Sequence, residues 1–293
     1  MGFEKQTEEI REICARLFSE GRVDAIVAHM DGGLDGTLIP FIAKGEGDIA
    51  KIVWGDRIRQ NLAPYLHGRT DRVGIVAMPC DARAIVQYIN ESQLVRENVY
   101  IIGVDCPGMV DEDGSDRPGC AECAVRCAPV CDERVAGDPA GPAGDPDGAA
   151  GGLRPTAGEA VAPAEKFARF RQEIDKCILC YSCRQACYAC YCKTCFIDRD
   201  MPDWQPAELD AGTKMTFHLG RAMHLAGRCV ECGACEAACA SGVNVRYIIK
   251  EVTDFVDDMY GFRTGMDIGT AQAMVVYGLD DREQGFLGEA QHE

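Results

Sequence analysis

Residues 3–20 carry apolar side chains at Ile10, Ile13, Cys14, Leu17 and Phe18. That is the i, i+3, i+4, i+7, i+8 spacing of a helix with one buried face. Cys14 lies within the stripe and reads as a small buried hydrophobe. Three apolar runs follow: VDAIVAHM (23–30), RVGIVAMPC (72–80) and NVYIIGVDC (98–106). They are nearly continuous rather than alternating, as expected of strands covered on both faces of a parallel sheet. Between the last two, DARAIVQYINESQLV offers Asp81 as a cap and Ala82, Ile85, Val86 and Ile89 as one apolar face. Strand, helix, strand at this spacing is a βαβ unit. A second strand–helix pair is expected around Ile52–Trp54 and Ile58–Leu66. The pattern predicts an α/β domain over residues 1–131.

Residues 132–163 are Ala, Gly, Pro and Asp with few large apolar side chains. They cannot offset their ordering entropy by burial and are expected to be a disordered linker. A mainly helical domain is expected over 164–262. Its helices are marked by Phe167, Phe170 and Ile174, by Met215, Leu219 and Ala222, and by Val245, Ile248, Ile249, Val252, Phe255 and Val256. Residues 263–293 read as an acidic tail with one apolar patch, AMVVYGL.

A chain of 293 residues is long enough for two domains without covalent staples, so its 18 cysteines are not needed as disulfides. The start, MGFEKQTEEI, is charged and lacks the apolar core of a signal peptide. No apolar run approaches the roughly 20 residues that span a bilayer. A cytoplasmic protein with reduced thiols and no membrane insertion is expected, and clustered thiols there point to metal or redox chemistry. A net charge of −17 argues against nucleic acid and anionic lipid as partners.

Cys177, Cys180, Cys183 and Cys187 have C-x2-C-x2-C-x3-C spacing, and Cys229, Cys232, Cys235 and Cys239 repeat it. This is the bacterial ferredoxin run for [4Fe–4S] clusters, whose fourth cysteine ligates the other cluster in two-cluster proteins. The expected sets are Cys177, Cys180, Cys183 with Cys239, and Cys229, Cys232, Cys235 with Cys187. Gly233 would let backbone N–H groups approach sulfur. The proline that commonly follows the fourth cysteine is replaced by Tyr188 and Ala240. Structural zinc needs only paired C-x2-C units and does not call for the third cysteine, twice. Cys190, Cys192 and Cys195 are left over. They could serve a zinc site or an extra cluster with Cys127 or Cys131, replace Cys187, or stay free.

In the α/β half, two strands are expected to end in cysteine, at Cys80 and Cys106. Ligands of open parallel sheets sit beyond the carboxyl ends of strands. With the C-x2-C pair Cys120 and Cys123 they could hold a third [4Fe–4S] cluster. The other reading, two core cysteines and a small zinc or redox loop, is equally open on spacing alone. DGGLDG (31–36) could cradle a flavin phosphate on the N–H groups of Gly32, Gly33 and Gly36, although it lacks G-x-G-x-x-G order and reads as easily as a turn. His218 and His224 are six apart and are not a metal pair on one helix face.

The segment RVGIVAMPCDARAIVQYINESQLVRENVYIIGVDCPGMVD, followed by C-x2-C, resembles the beta-subunit family of coenzyme F420-reducing hydrogenases and formate dehydrogenases. The resemblance covers roughly residues 20–131. It implies [4Fe–4S] clusters, the FAD that such subunits often carry, and electron exchange with a partner dehydrogenase, hydrogenase or heterodisulfide-reductase-like subunit. It also favours Cys80, Cys106, Cys120 and Cys123 as one ligand set. The C-terminal half resembles the dicluster ferredoxin modules that accompany heterodisulfide reductases. The expected function is an iron–sulfur electron-transfer subunit. The rivals are a self-sufficient flavoprotein reducing F420 or NAD(P), and a zinc-binding scaffold.

Overall fold

The computed structural model describes residues 3–137, 162–199 and 208–276. Helix α1 (Glu4–Ser19) buries Ile10, Ile13, Cys14 and Leu17, the stripe its periodicity marks. It packs on a five-stranded sheet of order β2-β1-β3-β4-β5. The strands are β1 (Ala25–Asp31), β2 (Leu38–Ala43), β3 (Val73–Ala77), β4 (Val99–Val104) and β5 (Glu133–Val135). Pairings β1–β3, β3–β4 and β4–β5 are parallel. Strand β2 turns back antiparallel on β1, with Ile26 opposite Ala43 and Asp31 opposite Leu38. The sheet is therefore mixed. Two edge strands were not anticipated, and both are too short or too interrupted to announce themselves. Leu38–Ala43 contains Pro40, which suits an edge position, and β5 is three residues long and falls inside the expected linker.

The expected strand–helix pair around residues 52–66 is not formed. Ile52 makes a single bridge to Met30, and Glu46–Lys51 and Ala63–Leu66 are isolated 3-10 turns. Ile52, Trp54, Ile58, Leu62, Ala63 and Leu66 are buried nonetheless, so burial there does not require a strand.

Helix α2 (Pro79–Asn90) begins earlier than expected. Pro79 sits in its first turn, where the missing N–H costs nothing. Cys80 therefore belongs to the helix start, not to the end of β3. Asp81 closes this turn from inside: its carboxylate accepts from Met78 N–H and Leu62 N–H, each at 2.9 Å. Burial lifts its pKa to about 7, opposed by those two bonds.

After the short helix α3 (Pro118–Ala121), the second half holds α4 (Pro163–Asp175), α5 (Ser182–Gln185), α6 (Ala211–His224), α7 (Ala234–Ala237) and α8 (Val245–Tyr260). Phe170, Ile174, Ala222 and Ile248 pack α4, α6 and α8 together. The buried side of α6 is Thr213, Phe217, His218, Arg221 and Ala222, while Leu219 is exposed. Phe167 and Phe255, expected inside, are also exposed.

The halves are not separate bodies. One core cluster contains Val27, Ile75 and Ile85 from the sheet side together with Cys177, Phe217, Leu225 and Ile249. Polar ties cross it: Tyr88 Oη donates to Tyr188 O at 2.5 Å, and Arg83 donates from Nε to Thr264 O at 2.9 Å. Residues 263–276, expected as tail, return to the body. Asn90 Nδ2 donates to Asp267 O (3.0 Å) and Gln272 Nε2 to Ala226 O (2.8 Å). Most of the expected linker (138–161) and the rest of the expected tail (277–293) lie outside the described residues. Among the described residues no helix is long and apolar enough to cross a membrane.

Candidate metal centres

The two cysteine runs share a backbone conformation. In the first, Leu179 and Tyr181 have φ of 51° and 59°; in the second, Glu231 and Gly233 have φ of 57° and 72°. These are the second and fourth residues after Cys177 and Cys229. Three of the four are not glycine, and such left-handed residues gather at sites where the surroundings impose them. Each run then enters a four-residue helix, α5 or α7. The N–H of Leu179 points at Cys177 Sγ and the N–H of Glu231 at Cys229 Sγ, both at 3.3 Å. The loops are thus wound so that amides face sulfur. Sequence marks this only at Gly233.

The thiols fall into neighbouring groups. Cys177, Cys180, Cys183 and Cys239 act electrostatically on one another. Cys229, Cys232 and Cys235 do so with Cys187. Val243 N–H donates to Cys239 Sγ at 3.3 Å, which extends the amide–sulfur pattern. Within the α/β half, Cys80 feels Cys106 and Cys120, and Cys106 feels Cys120 and Cys123. The groups also act on one another in series. Cys183 acts on Cys235, and Cys232 acts on Cys80. Cys120 and Cys232 line the same 280 Å³ groove. Arg117 bridges the last two groups, donating to Ile58 O and Gly233 O, each at 3.2 Å.

Burial governs their acidity. It pushes Cys80 and Cys229 well above the ordinary thiol range, and Cys106 and Cys232 to about 12. Metal-free, these groups hold protons at neutral pH, and a coordinated metal ion would displace them. Cys187 moves the other way, because Cys190 donates to it and Arg221 lies beside it. Four thiols per group, amides turned to sulfur and half-buried loops fit the donor set of a [4Fe–4S] cluster.

The remaining thiols are dispersed. Cys190 is engaged with Cys187, Cys192 is exposed, and Cys195 caps a 3-10 turn with Asp198. Among the described residues no three His, Cys, Asp or Glu side chains converge on a point that one ion could occupy. A cubane spreads its thiolates over four iron corners, so its ligands stand wider than those of a single ion. Cys127 accepts from Arg134 at 3.0 Å, and Arg134 also pairs with Asp105 at 2.8 Å. Cys131 rests on β4, where only a glycine fits: a Cβ on Gly103 would stand 3.0 Å from the Cβ of Cys131.

The glycines of DGGLDG do not form a phosphate cradle. They turn β1 into β2: Gly32 N–H donates to Thr37 O (3.0 Å) and Gly33 N–H to Asp31 Oδ1 (2.8 Å). Two of the amides a phosphate would need are committed within the hairpin, so this turn does not fit a flavin. His218 is buried against Phe217, and the His224 ring packs edge-on against Phe196.

Comparison with known proteins finds no matching family model. Two curated relatives are similar over part of the chain. The F420-dependent formate dehydrogenase subunit beta of Methanocaldococcus jannaschii is 27% identical over 99 residues, 34% of this chain and 26% of the relative. The F420-dependent formate dehydrogenase 1 subunit beta of Methanococcus maripaludis is 29% identical over 103 residues, 32% of this chain and 25% of the relative. The chain matches about a quarter of the length of these relatives.

Proposed function

We propose that this protein is an iron–sulfur electron-transfer subunit of an oxidoreductase complex, carrying three [4Fe–4S] clusters in series. The observation that carries the reading is the repeated amide-to-sulfur loop of the two cysteine runs, with Cys120 of the α/β half lining one groove with Cys232 of the second run. Cys177, Cys180, Cys183 and Cys239 would hold the first cluster, Cys229, Cys232, Cys235 and Cys187 the second, and Cys80, Cys106, Cys120 and Cys123 the third. Each such cluster accepts and releases single electrons. The chain's own part is to hold the thiolates, turn amides toward sulfur and keep water away. Exposed Cys180 gives the first group a solvent-facing edge.

The partial similarity to F420-dependent formate dehydrogenase beta subunits supports a partner of dehydrogenase, hydrogenase or heterodisulfide-reductase type. On this reading the chain carries electrons and its partner does the hydride chemistry, which needs a two-electron cofactor such as flavin. Coulometric reduction of the anaerobically purified protein tests this. Uptake of about three electrons per chain is expected, one per cluster, with no oxidation of reduced F420 or NAD(P)H by the protein alone. Bound flavin with turnover of either hydride donor would instead make it a self-sufficient flavoprotein.

A further inference from the structure

Arg221 occupies the seam between the first two cysteine groups. It lies on α6, is 4% exposed, and donates from Nη2 to Cys183 O at 3.1 Å. Its charge also acts on the sulfurs of Cys187 and Cys190. Its Nε–H is buried with no acceptor. Three other arginines drawn into the interior have a carboxylate in reach: Arg228 with Glu91 at 2.5 Å, Arg117 with Asp111 at 3.7 Å, and Arg246 with Glu122 at 2.8 Å. The groups that act most strongly on Arg221 are thiols: Cys187, Cys235, Cys190 and Cys183. Burial opposes its charge and those four sulfurs more than offset it.

A guanidinium cannot shed its proton, and a buried charge without a counter-charge is strongly destabilising. Once the cysteines are thiolate ligands, the negative charge around Arg221 comes from sulfur on both sides. We propose that Arg221 is a shared tuning charge that raises the reduction potentials of the first and second clusters together. The inference rests on the reading that these cysteine groups hold clusters. Its physical basis is that reduction adds a negative charge next to a fixed positive one, in a medium that screens weakly. Arg221 touches ligands and not a substrate, so its role is electrostatic positioning of two potentials.

The test is an EPR-monitored redox titration of the full chain, purified anaerobically, as wild type, Arg221→Gln and Arg221→Lys, with iron and sulfide counted in each. Arg221→Gln with full iron is expected to lower the reduction equilibrium of the first two clusters by about tenfold, or 59 mV for one electron. The third cluster should be unmoved. Full iron with unchanged potentials, or an equal fall in all three, overturns the proposal. If Arg221→Gln loses iron, Arg221→Lys decides. It keeps the charge, so both potentials should stay within about threefold of wild type in the reduction equilibrium. A loaded Lys variant whose two equilibria fall tenfold or more overturns it. Absence of iron from the wild type would instead sink the cluster reading itself.

Discussion

Cys239→Ser is expected to cost the protein about four iron atoms, and to empty the first cysteine run rather than its own. Cys239 is the last cysteine of the second run, yet its charge acts on Cys177 and Cys183, 62 and 56 residues earlier. Val243 N–H donates to its sulfur at 3.3 Å. The assignment is separable by additivity, because variants within one unit overlap and variants in different units add. Cys239→Ser combined with Cys177→Ser should lose no more than about four iron atoms, whereas Cys239→Ser with Cys232→Ser should lose about eight. Iron analysis of the three variants measures this. Overlap of Cys239 with Cys232 instead would mean that each run closes on itself.

Glu91→Ala is the substitution expected to loosen the join between the two halves most. Glu91 caps α2 and receives Arg228 through both guanidinium arms, Nε at 2.5 Å and Nη2 at 2.8 Å, and Tyr191 Oη at 2.5 Å. Burial pushes the Glu91 carboxyl up, but these donors and Gln87 outweigh it and hold the pKa below the usual range. Both side chains of the pair are only 16% exposed. Removing one partner of a buried pair leaves the other charge stranded, at a cost of about 3–5 kcal/mol. The urea midpoint of the anaerobic protein should fall accordingly, and Glu91→Ala with Arg228→Met should recover most of it. A single variant within about 0.5 kcal/mol of wild type would show that the pair behaves as a surface ion pair.

The sequence pattern was most legible where one periodicity or one spacing decides the outcome. The α1 stripe, the buried runs of β1, β3 and β4, and the doubled C-x2-C-x2-C-x3-C spacing are of this kind. It was least legible where tertiary context decides. Nothing in Leu38–Ala43 or Glu133–Val135 announces an edge strand, because both depend on a neighbour already being present. Pro79 reads as the end of a strand or the start of a helix, and only the two amide bonds to Asp81 resolve it. Leu179 and Tyr181 carry no signal of positive φ, unlike Gly233. Tyr188, standing where proline is common, is fully committed: its carbonyl accepts from Tyr88 and its hydroxyl donates to Arg228 O. Arg221 was invisible because a single arginine in a helix looks solvated until the helix is packed. The DGGLDG turn shows the reverse error, since glycines suggestive of a phosphate site are explained by a hairpin.

The claim on which the rest depends is that three cysteine groups hold three iron–sulfur clusters. Iron, acid-labile sulfide and zinc counted together on anaerobically purified protein test it most directly. The account predicts about twelve iron and twelve sulfide per chain and no stoichiometric zinc. About eight of each would remove the group at Cys80, Cys106, Cys120 and Cys123 and leave the paired runs standing. Zinc without acid-labile sulfide would contradict the account altogether.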